Sequence, residues 1–249
     1  MEENKRDSYV HQESYIVRVH EIDPQRRLTL PSLIKLLQEC SMQHIIKLKA
    51  SFWDIEKLQL SWILLRKQVK LLRNISFGEK ITVLTYPTSF EKFFAGRDYL
   101  VFDENKKLVA TASSTWSLMN TSTRKLSRIP EAFFEFNAPS DVPRLKKPLS
   151  RLNPNTELSK IEHRTIGHYD LDWNGHTNNT NLCKWMMQAL IHKSIQEENI
   201  KEANFIFKSE SKLGEVLTFF SNEEKSYCQA KVGEKVICEM SIFSTTYES

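Results

Sequence analysis

Asp170-Leu171-Asp172-Trp173-Asn174-Gly175-His176-Thr177-Asn178-Asn179 decides the reading of this chain. It sets carboxylates, side-chain amides and one imidazole around a glycine, and a helical apolar pattern follows at once: Leu182, Trp185, Met186, Ala189, Leu190. A polar turn that empties onto a helix N-terminus gathers backbone N–H donors, the positive end of a helix dipole and titratable side chains. Such a place suits the polarisation of a carbonyl. Asn and Asp are also the preferred caps of a helix, but a cap needs one of them and has no use for His176.

Working outward, the chain repeats one order of elements. In the first half, Tyr15 to Val19 alternates as a strand and runs into Glu21-Ile22-Asp23-Pro24-Gln25-Arg26-Arg27. A helix follows with Thr29 as its cap, Pro31 in its first turn, and Leu30, Leu33, Ile34, Leu37, Ile45 and Leu48 on its apolar face. Strand patterns come next at Trp62 to Leu72, Phe77 to Tyr86, Arg97 to Phe102 and Leu108 to Asn120. In the second half, Thr165 to Tyr169 leads into the Asp-rich loop and a helix over Leu182 to Ile195. Strands are then expected at Asn204 to Ser211, Gly214 to Phe220, Ser226 to Lys231 and Val236 to Tyr247. Phe77-Gly78-Glu79-Lys80-Ile81 parallels Leu213-Gly214-Glu215-Val216-Leu217. The expected organisation is a domain over 1–128, a Pro-rich and charged linker over 129–155, and a second domain over 156–249. Periodicity alone supports a duplicated α+β unit.

The Asp-rich run matches, at every fixed position, the D-L-D-x-N-x-H-x-N-N signature of acyl-acyl-carrier-protein thioesterases of plastids and bacteria. Phe205 to Leu217, with Glu210, is similar to the family's later Glu-bearing strand. Ala110-Thr111-Ala112-Ser113-Ser114-Thr115-Trp116-Ser117-Leu118-Met119-Asn120 resembles its Ala-Thr…Trp…Met-Asn strand. The resemblance spans most of the chain. It implies a tandem double hotdog, each copy a long helix wrapped by a curved antiparallel sheet. It further implies hydrolysis of a fatty acyl-acyl-carrier-protein thioester with no cofactor, and Asp172, Asn174, His176 and Glu210 as the catalytic set.

Within that set Glu210 suits a general base, His176 a carbonyl partner or sulfur acid, Asn174 an orienter, and Asp172 a brace for either. The helix N-terminus could donate to an oxyanion. Plant relatives commonly carry Cys after this Glu, and this chain carries Ser211. A serine lacks the acidity of a thiol and would need a dedicated base, so attack by water is the simpler expectation. Cys183 falls in the apolar pattern and reads as packing. Where the second copy has Asn174 and His176 the first has neither, which places chemistry in the second copy and leaves the first to hold an apolar chain. Trp62, Leu64 and Trp116 are the residues expected to line that slot, with Trp53 and Met42 as further candidates or simply core.

Composition bounds the partners. At 249 residues with 40% hydrophobic and 27% charged residues, the chain reads as globular. A net charge of +4 is too mild to argue for nucleic acid, and no aromatic-rich basic motif accompanies it. The basic run Arg144, Lys146, Lys147 and Arg151 offers cations to an acidic carrier protein, or is an ordinary solvated connector. No integral membrane segment and no signal or transit segment is expected. Cys40, Cys183, Cys228 and Cys238 have no paired spacing and read as reduced thiols of a cytoplasmic protein. His163, His168 and His176 match no compact metal-ligand spacing. Oligomeric state stays open, a homodimer included. Two rival functions stand beside the carrier-protein thioesterase: an acyl-CoA thioesterase of the same fold, and an acyl-binding protein without catalysis.

Overall fold

The computed structural model describes residues 9–136, 141–191 and 200–244. The expected end of the second helix at Ile195, the last strand residues through Tyr247, and Pro139 of the linker lie outside the described residues. The chain divides into two compact units, Met1–Pro148 and Leu149–Ser249.

In the first unit the strands are β1 (His11–Ile16), β2 (Leu60–Leu71), β3 (Lys80–Phe90), β4 (Ala95–Asp103), β5 (Leu108–Asn120) and the short β6 (Leu126–Ser127). Helices α1 (Leu30–Lys47) and α2 (Phe52–Glu56) lie between β1 and β2. The sheet runs β1-β3-β4-β5-β2, every pair antiparallel, with β6 on β5. The second unit repeats the order: β7 (Ser159–Thr165), α3 (Asn179–Ile191), β8 (Ile200–Phe207), β9 (Val216–Ser221), β10 (Tyr227–Val232) and β11 (Lys235–Ser244). Its sheet runs β7-β9-β10-β11-β8. Among the described residues β1, α1 and β2–β5 thus have counterparts in β7, α3 and β8–β11, in the same order across the sheet.

α1 begins where the sequence says it should. Thr29 Oγ1 accepts from Ser32 N at 3.2 Å, and Pro31 follows in the first turn, where its missing N–H costs nothing. Leu30, Leu33, Ile34, Leu37, Cys40, Ser41 and His44 are buried at helical spacing. Ile45 and Leu48, expected on this face, are only half-buried. The 3.6-residue repeat carries the inner stripe through Cys40 and His44, polar or weakly polar residues that an apolar-pattern reading passes over.

Two strands begin and end earlier than expected. β1 stops at Ile16 and β7 at Thr165, and each chain then turns through one 3-10 turn, Val19–Glu21 or His168–Asp170. An acid closes each turn: Glu21 Oε2 accepts from Arg18 N at 2.7 Å, and Asp170 Oδ2 from Gly167 N at 2.8 Å. Alternating side chains continue past the last ladder bond, so periodicity cannot see this capture.

Within the stretch over 129–155, residues of 129–136 and 141–147 contribute to the first unit's packing. Ile129 and Phe133 join a buried cluster with Ala50, Ile55, Leu60, Ala95 and Leu118. Val142 and Leu145 cover Tyr86 and Leu100 on the sheet's other face. There Tyr86 Oη donates to Pro143 O at 2.5 Å, Leu145 N to Asp98 Oδ2 at 2.7 Å, and Ser113 Oγ to Lys146 O at 3.0 Å. Of the basic run, Lys147 pairs with Glu91 at 2.6 Å and Arg144 donates to Thr88 O at 3.0 Å. In the second unit α3 packs on β9 and β10 with Leu182, Cys183, Trp185, Met186 and Leu190 buried. All four cysteines are buried and none is in a disulfide. No described helix is long and apolar enough to cross a membrane.

Candidate active site

The Asp-rich loop has the same backbone as its counterpart in the first unit. Asp172 N donates to His176 O at 2.7 Å and Gly175 N to Asp172 O at 3.0 Å; Asp23 N donates to Arg27 O at 2.8 Å and Arg26 N to Asp23 O at 2.9 Å. Gly175 has φ +75°, and Arg26 takes the same left-handed region at φ 61°, where glycine carries no Cβ penalty. Both loops then dock alike on a distant segment: Thr177 N donates to Ser211 O and Leu28 N to Ile75 O, each at 2.8 Å.

The side chains differ where the backbones agree. In the first unit Arg27 folds back on Asp23, its backbone N and Nε donating to the carboxylate at 2.8 and 3.0 Å. In the second unit Asp172 Oδ1 accepts from backbone, Asn174 N at 2.9 Å and His176 N at 3.2 Å. The His176 imidazole Nε2 lies 3.3 Å from Glu210 Oε2.

Glu210 does not sit inside a strand, as expected, but in the segment that leaves β8 at Phe207. Lys208 N and Ser209 N both donate to Ile237 O, at 2.9 and 3.2 Å, which ends the regular ladder. Lys235 Nζ then holds Glu210 O at 2.8 Å. The bridge between His176 and Lys212 aligns this segment with the loop and presents the carboxylate to the imidazole. The acid is about one third exposed and the imidazole 17% exposed, so water reaches both.

Ser211 takes the opposite orientation. It is buried, and its hydroxyl donates to Thr177 Oγ1 at 2.8 Å. A donor spent on Thr177 and shut away from solvent is a brace between loop and segment. Thr177 and Ser211 thus belong to the site's scaffold, a role that only their register reveals. Cys183 is buried on α3's inner stripe.

Of the four expected catalytic residues, the fold brings His176 and Glu210 together. Asp172 acts on the loop's backbone, and Asn174 stands exposed at the turn with its N–H on Asp172. The α3 N-terminus is nearly saturated. Asn178 Oδ1 accepts from Thr180 N at 2.9 Å, Asn178 N donates to Asp170 O, and Asn181 N and Leu182 N donate to Asn178 O. Among the described residues this leaves the Asn179 N–H as the donor this helix end offers.

Trp62, Leu64 and Trp116 share one face of the first unit's sheet, with Leu64 opposite Trp116 and Trp62 opposite Leu118. Both tryptophans are half-buried against the Leu60–Leu118 cluster, while Trp53 is exposed, its ring tilted by 36° against Phe52 at a centroid distance of 3.9 Å. Among the described residues, the metal-type ligands that converge are His11, Glu13 and Cys40, within 4.8 Å of one another. Lys47 Nζ occupies His11 Nδ1 at 3.0 Å, and Tyr15 Oη donates to Glu13 at 2.5 Å. Burial holds the Cys40 thiol up near 12, so that group is explained by its own hydrogen bonds and a cation already on the imidazole.

Comparison with known proteins gives the family and the fold. The family model described as the acyl-ACP thioesterase N-terminal domain matches residues 8–136, and the C-terminal domain model matches 154–246. The chain is 22% identical over 237 residues to an oleoyl-acyl carrier protein thioesterase of Arabidopsis thaliana, covering 88% of this chain and 64% of that protein. It is 28% identical over 196 residues to a palmitoyl-acyl carrier protein thioesterase of Gossypium hirsutum, covering 74% and 48%. The chain therefore spans between about half and two thirds of the length of these curated relatives. Among solved structures it resembles an acyl-ACP thioesterase from Bacteroides thetaiotaomicron, with TM-score 0.79, 20% identity, and coverage of 98% and 100%. It also resembles the 12:0-ACP thioesterase of Umbellularia californica, with TM-score 0.79, 22% identity, and coverage of 94% and 96%. These likenesses establish the tandem hotdog fold expected from the sequence.

Proposed function

Because this chain belongs to the acyl-ACP thioesterase family, we propose that it hydrolyses fatty acyl-carrier-protein thioesters to free fatty acid and carrier thiol. The observation that carries the reading is the His176–Glu210 pair at 3.3 Å, held by a loop whose first-unit counterpart closes on itself. Glu210 takes a proton from water while the water oxygen attacks the thioester carbonyl. The Asn179 N–H supports the oxyanion, and Asp172 with Asn174 keeps the turn in shape. The C–S bond then breaks, and the proton passes through His176 to the departing sulfur. Ser211 takes no covalent part, since its hydroxyl is bonded to Thr177.

Trp62, Leu64 and Trp116 hold the acyl chain, a role supported by their shared apolar face, on which both tryptophans are half-buried. The partner is an acidic carrier protein, and no cofactor enters. Four free thiols favour a reducing, cytoplasmic setting.

Turnover of matched dodecanoyl thioesters on carrier protein and on CoA tests the reading. A kcat/KM at least about tenfold higher on the carrier is expected. Higher efficiency on CoA would move the protein to the acyl-CoA thioesterases. Saturable acyl binding without thiol release would make it a binding protein.

A further inference from the structure

The inner face of the first unit's sheet holds more positive charge than its own groups neutralise. β4 places Arg97 opposite Ser114 of β5, and β2 places Lys67 opposite the same serine from the other side. The two cations therefore stand in one cross-strand row, two strands or about 10 Å apart at the backbone. Arg97 is 7% exposed and Lys67 2%. Arg97 Nη1 donates to His44 Nδ1 at 3.0 Å and Thr85 Oγ1 at 3.1 Å, both neutral acceptors. Lys67 Nζ lies 5.3 Å from the centre of the Tyr99 ring. Among the described residues neither cation has a carboxylate within ion-pair distance. Glu13, the acid of β1 on this side, is engaged by Tyr15 and His11. The Tyr99 hydroxyl is fully buried and has no hydrogen-bond partner.

A guanidinium cannot shed its proton to escape burial, and an uncompensated buried charge is strongly unfavourable. Two cations on one face thus lack an anion, and the phenol beside them lacks a hydrogen-bond partner. The same face turns apolar immediately beyond them: Ala95 is two residues before Arg97, Trp116 two after Ser114, and Leu64 is the register partner of Trp116. Trp116 Nε1 even donates to Ser114 Oγ at 2.9 Å, joining the apolar and cationic ends.

The geometry points to a carboxylate-terminated aliphatic chain as the ligand of this face. Arg97, Lys67 and the Tyr99 hydroxyl hold the carboxylate, and the methylenes lie on Ala95, Leu64 and Trp116. This inference deepens, and rests on, the acyl-slot reading of Trp62, Leu64 and Trp116. The carboxylate has two sources: the free fatty acid that the reaction releases, or the far end of an acyl chain that carries a second carboxylate.

Calorimetric titration of the full chain with decanoate, and with 1-decanol as the uncharged control, tests it. Decanoate should bind at least about tenfold tighter than the alcohol. Lys67→Met should weaken decanoate about tenfold or more, leave decanol unchanged and raise Tm without ligand, because a lone buried charge is gone. Tyr99→Phe should weaken decanoate several-fold with Tm maintained, since its hydroxyl bonds nothing in the free protein. Equal affinity for acid and alcohol, or decanoate binding unaltered in both variants, would overturn the inference. Competitive inhibition by decanoate with no preference for ω-carboxyacyl thioesters assigns the product. A tenfold or greater preference for the ω-carboxyacyl thioester assigns the chain end. Binding is read without turnover, so a chain that cleaves neither thioester defeats the functional reading and leaves this measurement to decide separately.

Discussion

Arg27 folds back onto Asp23, with Nε 3.0 Å from Oδ2, at the loop position that His176 holds in the second unit. The duplicated backbone is thus used twice, once closed by its own ion pair and once opened toward Glu210. This contrast makes the first loop an internal control for the second.

Replacing the proposed base should separate chemistry from binding. Glu210→Gln keeps size and much hydrogen bonding but cannot take a proton from water. General-base assistance contributes roughly 10²–10⁴-fold, so kcat should fall within that range while KM stays near its wild-type value. The pH–rate profile should lose its acidic limb. A preserved kcat with raised KM would make Glu210 a substrate ligand and pass the role of base to His176.

The two loops should answer differently to the same change. Asp23→Ala removes two partly buried bonds to Arg27 and should lower stability by about 1–3 kcal/mol with kcat retained. Asp172→Ala loosens the turn that carries His176 and should depress kcat as well as Tm. Loss of kcat in Asp23→Ala at unchanged Tm would put chemistry in the first unit.

Ser211→Ala should turn over substrate at a rate near wild type. It loses the hydrogen bond to Thr177, at a cost of about 1 kcal/mol in stability. Ser211→Cys should resist iodoacetamide at this buried position. A trapped acyl-enzyme in the wild type, absent from a folded Ser211→Ala, would require a covalent route.

Asp98 ties stability to pH. Burial raises its carboxyl from an ordinary 3.8 to about 6, against the opposing bond from Leu145 N. The folded state therefore holds the proton more tightly than the unfolded one. Its contribution is favourable at low pH and is lost as pH rises through about 6, on the order of 2–3 kcal/mol. Asp98→Asn should match wild type near pH 4 and melt higher at pH 8. Melting curves that stay parallel from pH 4 to 8 would show that this carboxyl does not control the pH dependence.

The local features of this protein were legible in its sequence. The Thr29 cap, the Asp-rich turn, the duplicated order of strand, helix and strands, and the correspondence in position of Asp23 and Asp172 all depend on neighbours in the chain, where capping, turn chemistry and periodicity act. Even the signature motif is local, and it sufficed to indicate the family. What the sequence did not hold is register. That Glu210 meets His176 while Ser211, the next residue, turns inward to Thr177 follows from where the segment after β8 leaves the Ile237 ladder. The burial of Arg97 and Lys67 beside one serine depends likewise on which strands pair. A shift of one residue in a strand sends its side chains to the opposite face. Tertiary structure alone therefore decided which polar residues came together as the candidate site, which became braces, and which were left charged in the interior.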